Sequence, residues 1–300
     1  MNRGILSGIG AYVLWGLLPV YWKQVDDIAA GQLIGHRIVW SFAMLVVIVS
    51  LSREWPVIRS AVSSRRIVRI YALAAVLITV NWSIYVWAVN HGFIVESSLG
   101  YFINPLVSVI FGVFVFGERL RPMQWAAVSL AGAGVAYLTF TYGALPWIAL
   151  VLALSFGGYG AVKKKAPLAS THGLTIETGM LLLPAAAYLF FVDVTGRGVF
   201  LHSSLASAVL LIGTGAVTIV PLLLFASAVQ RTPLSTMGVL QYIAPTLQLM
   251  LGVLVYSEPF TTHQLVGFAI VWTALALFGI DGLRTARRPP VGAVIDEGAG

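Results

Sequence analysis

The sequence predicts an all-α integral membrane protein with ten transmembrane helices, arranged as two inverted five-helix repeats with both termini cytoplasmic. Three observations predict it. First, the chain has 300 residues, 59% of them apolar and 10% charged, and its mean hydropathy is +0.91. A soluble domain is about 25% charged, and surface-to-volume scaling leaves too much of any chain facing water to hide this much apolar side chain. Second, lysine and arginine gather in alternate connections between the apolar stretches. Third, the chain resembles itself at an offset of 140 residues. The composition excludes a disordered chain and a collagen. With no cysteine, it also excludes a disulfide scaffold, thiolate metal sites and cysteine nucleophiles.

A bilayer core takes about 20 apolar residues per helix. Such stretches run over 4–22, 29–51, 70–90, 94–116, 123–141, 145–162, 174–194, 205–230, 234–256 and 264–280. Turn or charge signals separate them, among them Asp26-Asp27, the run 52–66, His91-Gly92, Tyr142-Gly143, Lys163 to Pro167 and Arg231 to Pro233. Arg3 precedes the first stretch as in a signal peptide, but no small-residue cleavage site follows, so it reads as a retained helix. Trp22, Trp55, Trp125 and Trp147 fall at stretch ends, where indole rings anchor at the interface. Trp82 falls mid-stretch and reads as lipid-facing or packed core ahead of a pocket wall.

Placing the amino terminus in the cytoplasm puts 15 of the 18 Lys and Arg residues in inside segments, with Lys23 and Arg197 outside and Arg37 within a span. This bias is the positive-inside pattern, and it needs an even number of spans. The net charge of +7 is therefore a topology signal, and nucleic acid is not an expected partner. Membrane lipid is. Residues 282–300 are polar and contain Pro and Gly, and they read as a disordered cytoplasmic tail.

Ile103, Pro105, Gly112, Val113, Val115, Glu118 and Gln124 recur as Ile243, Pro245, Gly252, Val253, Val255, Glu258 and Gln264. The paired prolines and glutamates weigh most, because apolar composition inflates the other identities. Gly16 and Lys23 recur as Gly157 and Lys164 at an offset of 141. The expected division is 1–141 and 142–281. Five spans are odd, so the second half enters the membrane in the opposite sense. Inverted repeats of this kind build many secondary transporters, because two similar halves can exchange conformations and move an opening from one side to the other.

The motifs carry a resemblance. They are Trp15-Gly16 through Tyr21-Trp22-Lys23, His36-Arg37-Ile38-Val39-Trp40-Ser41, the run from Glu96-Ser97 to Asn104-Pro105-Leu106, Phe116-Gly117-Glu118-Arg119-Leu120, Gln241-Tyr242-Ile243-Ala244-Pro245-Thr246 and Glu258-Pro259. In these the chain resembles the EamA/RarD branch of the drug/metabolite transporter superfamily over roughly 4–283. The resemblance implies the ten-helix drug/metabolite transporter fold, a bacterial inner membrane location, and export or exchange of a small solute. It names no substrate.

Polar groups inside spans are costly to bury and mark candidate sites. Ser97, Tyr101, Asn104 and Ser108 share one helical face of the fourth span, and Gln241 and Gln248 occupy the images of Tyr101 and Ser108 in the ninth. The two sets bracket Pro105 and Pro245, each of which frees a carbonyl one turn earlier. Asn81 and Tyr85 in the third span, Trp15 in the first and Tyr159 in the sixth complete the expected cavity. Each residue could equally be a helix-to-helix hydrogen bond. His36, Arg37, Glu96 and Glu177 are the charged or titratable groups expected at membrane depth and the candidates for proton coupling. Arg37 needs an acidic or carbonyl partner, or water, and an ion pair is the favoured reading for it. Glu118 and Glu258 end the fourth and ninth spans and read as structural or gating residues, structure ahead of gating.

No cofactor is expected, and no P-loop is present. A membrane-embedded lipid-modifying enzyme would need a nucleophile, base or metal set converging at one depth. The sequence lacks H-E-x-x-H, G-x-S-x-G and an Asp pair. A non-transporting receptor or scaffold would bring a soluble domain, and no loop reaches about 20 residues. A small molecule is the expected partner, and a second copy of the chain remains open as a homodimer.

Overall fold

The computed structural model describes residues 3–91, 94–142, 147–200, 202, 204–257 and 262–286. All regular structure among them is helical. The helices are α1 (Arg3–Trp22), α2 (Ala30–Leu51), α3 (Trp55–Ser63), α4 (Arg65–Asn90), α5 (Ile94–Phe116), α6 (Pro122–Tyr142), α7 (Trp147–Lys165), α8 (Ser170–Val194), α9 (Leu205–Arg231), α10 (Leu234–Leu240), α11 (Ile243–Met250) and α12 (Thr262–Ala286). A π-helical turn, Leu251–Val255, extends α11. Seven segments are long and apolar enough to cross a membrane: Arg3–Trp22, Ala30–Leu51, Arg65–Tyr85, Pro122–Phe140, Ser170–Val194, Leu205–Arg231 and Leu234–Val255. Gly100–Phe116 and Leu265–Asp281 are shorter apolar helices. This is a multi-pass membrane protein.

The chain forms two compact units. One comprises Met1–Glu118 and Leu145–Pro259, the other Arg119–Ala144 and Phe260–Gly300. In the smaller unit α6 and α12 pack antiparallel. Arg121 at the start of α6 pairs with Asp281 late in α12 at 2.6 Å, and Tyr137 meets His263 Nδ1 at 2.8 Å near the opposite ends.

In the larger unit, contacts recur in exchanged form. α1 packs antiparallel on α9, with Gly4 against Thr232 and Gly10 against Leu224, and α4 packs antiparallel on α7, with Leu77 against Gly158 and Asn81 bonded to Leu152. α1 runs parallel to α10 and α11, with Gly8 against Met237 and Gly16 against Leu247. α5 runs parallel to α7, with Gly100 against Ala149 and Gly157 against Val107. α2 meets α8 and α9, and Ser41 donates to the Gly215 carbonyl at 3.3 Å. Without a hydrophobic force between helices in lipid, small residues at such crossings carry the association. α5 and α10 also cross closely: a Cβ on Gly238 would lie 2.5 Å from the Pro105 carbonyl oxygen.

Two elements depart from the span reading. The polar run 52–66 holds α3, an amphipathic helix opened by Pro56 in its first turn, with Ile58 and Ala61 packed against Val49, Tyr71 and Ile176. The ninth span is broken. Pro245 has no N–H for the Gln241 carbonyl, which instead accepts from Ala244 N–H at 3.3 Å, and the helix resets between Leu240 and Ile243. α5 continues through Pro105. α5 ends at Gly117, whose φ of +64° is the left-handed conformation that closes helices.

Candidate functional site

A cavity of about 210 Å³ lies in the larger unit. An engineered pocket of about 150 Å³ holds benzene, so the space admits a small organic solute. Its walls come from the later halves of α1 and α4, the early turns of α2, α5 and α7, the middle of α9, and the break between α10 and α11. These parts share one end of the unit. Trp15, Trp22, Trp82, Tyr85, Tyr101 and Phe156 supply aromatic surface. Arg37, Asn81, Asn104, Thr218, Gln241 and Gln248 supply polar groups.

The polar groups are held from the other side of the fold. Asn81 Nδ2 donates to the Leu152 carbonyl at 2.9 Å and to Ser155 Oγ at 3.1 Å. Gln248 Nε2 donates to the Trp15 carbonyl at 3.1 Å. Ser108 donates to Gln241 Oε1 at 3.4 Å across the α5–α10 crossing. Arg37 Nε donates to Thr218 Oγ1 at 3.0 Å, and its guanidinium carbon lies 4.5 Å from the Trp82 ring centre and 5.1 Å from that of Trp22.

The cavity floor is aromatic. Tyr12, Trp15 and Phe156 pack on Phe225, with ring centres 5.3 to 6.2 Å apart. Below lie Tyr159, Leu234 and Met237, all fully buried. Beside them Lys163 Nζ pairs with Glu177 Oε1 at 2.7 Å, Tyr159 donates to Glu177 Oε2 at 3.1 Å, and the pair's side chains are 1% and 3% exposed. A void of about 10 Å³ is bordered by both Arg37 and Glu177.

Glu118 closes this end. Its carboxylate accepts from the Leu234 N–H at 2.6 Å, the Ser235 N–H at 2.9 Å and the Ser235 hydroxyl at 2.7 Å, with Lys164 Nζ at 3.4 Å. Pro233 precedes α10 and offers no side-chain cap, so the free N–H groups of that helix start are met from α5's end instead. Burial acts to raise the Glu118 pKa, but the Ser235 and Leu234 donors and the Lys164 cation outweigh it and hold the carboxyl below its ordinary range.

The structure brings Trp15, Asn81, Tyr85, Tyr101, Asn104, Gln241 and Gln248 to one cavity, with Arg37 and Pro245. Ser108 stands behind Gln241, and Tyr159 lies under the floor, bonded to Glu177. His36 is buried against Phe200 with ring centres 5.2 Å apart. Glu258 and the side chains of Glu96 and Ser97 lie outside the described residues. Arg37 forms no ion pair among the described residues, contrary to the favoured sequence reading. Its neighbours are a hydroxyl and indole faces. Trp82 and Trp22 border the cavity, against their readings as packing and as interface anchor. Sequence reasoning missed Lys163, which read as part of a cytoplasmic connection. The last turn of α7 carries it inward to Glu177.

This fold and cavity define a polytopic membrane protein with a solute-sized pocket. A family model described as the EamA-like transporter family matches residues 2–140 and again 145–280. The chain is 46% identical to Protein RarD of Streptomyces exfoliatus, with 96% of this chain and 91% of that one covered. It is 43% identical to Protein RarD of Escherichia coli (strain K12), over 96% and 97%. It is 42% identical to the uncharacterized transporter YojE of Bacillus subtilis (strain 168), over 95% and 96%. A solved crystal structure shares the fold, with TM-score 0.70 and 19% identity over 96% of this chain and 99% of the other. The chain belongs to the EamA-like transporter family and is of the RarD type.

Proposed function

We propose that the chain is a secondary transporter that moves a small organic solute across the bacterial inner membrane by alternating access, as an exporter or exchanger. In this reading the ten spans are α1, α2, α4 to α9, α10 with α11, and α12. Residues 1–141 and 142–281 are inverted repeats, both termini are cytoplasmic, and 282–300 is a tail. The two family matches, at 2–140 and 145–280, support the repeat. So does the exchanged packing, in which α1 on α9 mirrors α4 on α7, and α1 beside α11 mirrors α5 beside α7.

One observation carries the proposal: the cavity takes walls from both repeats and sits at one end, while aromatic packing and the Glu118 contact with α10 seal the other. With the amino terminus inside, the later half of α1 points outward, and in this reading the cavity belongs to the outward-facing state. Switching would part the sealed end and close the aromatic rim. The Lys163–Glu177 pair lies beneath the floor, and Glu177 borders a void with Arg37, which makes Glu177 the candidate for proton coupling.

The test is an unbiased metabolite screen on reconstituted protein, followed by flux of the identified solute. Tyr101→Ala and Gln241→Ala should abolish flux with expression intact. Wild-type flux in both would remove the cavity from the path. Dependence of uptake on a pH gradient, lost in Glu177→Gln, supports coupling; gradient-independent equilibration by the wild type means a facilitator.

A further inference from the structure

Arg37 is a half-buried cation within an otherwise neutral pocket. Among the described lining residues it alone carries a formal charge at neutral pH. No carboxylate lies within 4.0 Å of it among the described residues, and its hydrogen bond to Thr218 engages only Nε. The two terminal amino groups remain, set in the planar fork that matches a carboxylate. A cation kept at membrane depth without a fixed counter-ion is expensive, so its retention points to a charge that comes and goes.

A second observation is independent of the first. Asn104 is 5% exposed, borders the cavity, and its Oδ1 has no hydrogen-bond partner. Buried acceptors without partners are rare. Asn81 Nδ2 is committed to the Leu152 carbonyl and Ser155 Oγ, and Gln248 Nε2 gives one hydrogen to the Trp15 carbonyl. No donor among the described residues reaches Asn104 Oδ1, which leaves it for a donor on a ligand.

We infer that the cavity binds a small organic monoanion, a carboxylate bearing one neutral hydrogen-bond donor, with the Arg37 guanidinium holding the carboxylate and Asn104 Oδ1 accepting from the donor. The inference rests on the transporter reading of the same cavity. One positive charge balances a monoanion. A dianionic phosphate ester would leave a negative charge unmatched, and a zwitterion would bring an ammonium with no described carboxylate to receive it. The rings of Trp15, Tyr85, Tyr101 and Phe156 cover the apolar body, and about 210 Å³ limits it to a short chain or a single ring.

The test measures thermal stabilisation of the purified full-length protein by acetate, lactate, benzoate and 4-hydroxybenzoate. Each is run beside its neutral amide, with inorganic phosphate and alanine for comparison. The carboxylates should raise Tm saturably, the hydroxylated ones most, and the amides should not. Arg37→Gln should abolish the shift and Arg37→Lys should keep part of it. Asn104→Leu should erase the preference for 4-hydroxybenzoate over benzoate, about fivefold to tenfold for one hydrogen bond. Equal shifts from acids and amides, no shift from any acid, or an unchanged acid shift in Arg37→Gln overturns the inference. If Arg37→Gln does not fold, the acid–amide comparison on wild type decides. Carboxylate binding without counterflow in proteoliposomes would keep this site and remove the transporter reading. Counterflow of a neutral or cationic solute without carboxylate binding would do the reverse.

Discussion

Replacing Glu118 with alanine removes the carboxylate that meets the first two N–H groups of α10. Leu234 and Ser235 each donate a backbone N–H to it, at 2.6 and 2.9 Å, and the Ser235 hydroxyl adds a third bond. A buried donor left without a partner costs about 1–3 kcal/mol. The Glu118 side chain is 14% exposed, so water recovers part of the loss. Two donors at the low to middle of that range give about 3 kcal/mol, which is about a 100-fold change in a local opening equilibrium. Hydrogen–deuterium exchange of the segment 231–240 reads that opening directly. Exchange there should accelerate about 100-fold in Glu118→Ala, with the segment around α2 and α8 little changed. Exchange in 231–240 that matches wild type would refute the claim that Glu118 holds the sealed end together.

The same carboxyl sets a pH dependence. Its folded pKa is depressed, so its contribution is fully present above the unfolded carboxyl pKa of about 4.3 and is lost as pH falls through the folded value. The Tm gap between wild type and Glu118→Gln should therefore narrow in acid below that point, and a gap that widens there contradicts the assignment. Lys163→Met strands the Glu177 carboxylate in the core and should cost about 3–5 kcal/mol. The double variant Lys163→Met with Glu177→Leu should recover most of that in the same detergent, and a double variant no more stable than the single would be evidence against a tight buried pair. Gly238→Ala places a Cβ against the Pro105 carbonyl and should cost about 1–3 kcal/mol; a Tm equal to wild type would mean that α5 and α10 do not cross so closely.

Much of the helix pattern was legible in the sequence because bilayer thickness converts directly into stretch length. The stretch 205–230 became Leu205–Arg231, and 94–116 became Ile94–Phe116. The one-face stripe of the fourth span was legible for the same reason, since helical spacing places Tyr101 and Asn104 on one wall. Other parts were not. The helix Trp55–Ser63 lies in a run whose charges masked the buried spacing of Ile58 and Ala61. Pro105 and Pro245 look equivalent in sequence, yet only the second accompanies a broken helix, because tertiary packing decides how a freed carbonyl is met. Arg37 and Lys163 exchanged expectations. The residue expected in an ion pair rests on indole rings, and the residue expected in a loop holds the buried pair. Periodicity reports which face a side chain takes, but not which partner waits there.

The most direct measurement uses the absence of native cysteine. Tyr101→Cys reports the cavity, Met237→Cys reports the packed end beneath it, and each is labelled with a membrane-impermeant thiol reagent from one side of oriented vesicles. In the outward-facing state the first should be labelled from the periplasmic side and the second from neither. Adding Glu118→Ala should lower labelling of the first while exposing the second to the cytoplasmic side. Reaction of both positions from the same side, or simultaneous reaction of both at full extent, would contradict a single hollow that opens in turn to each compartment.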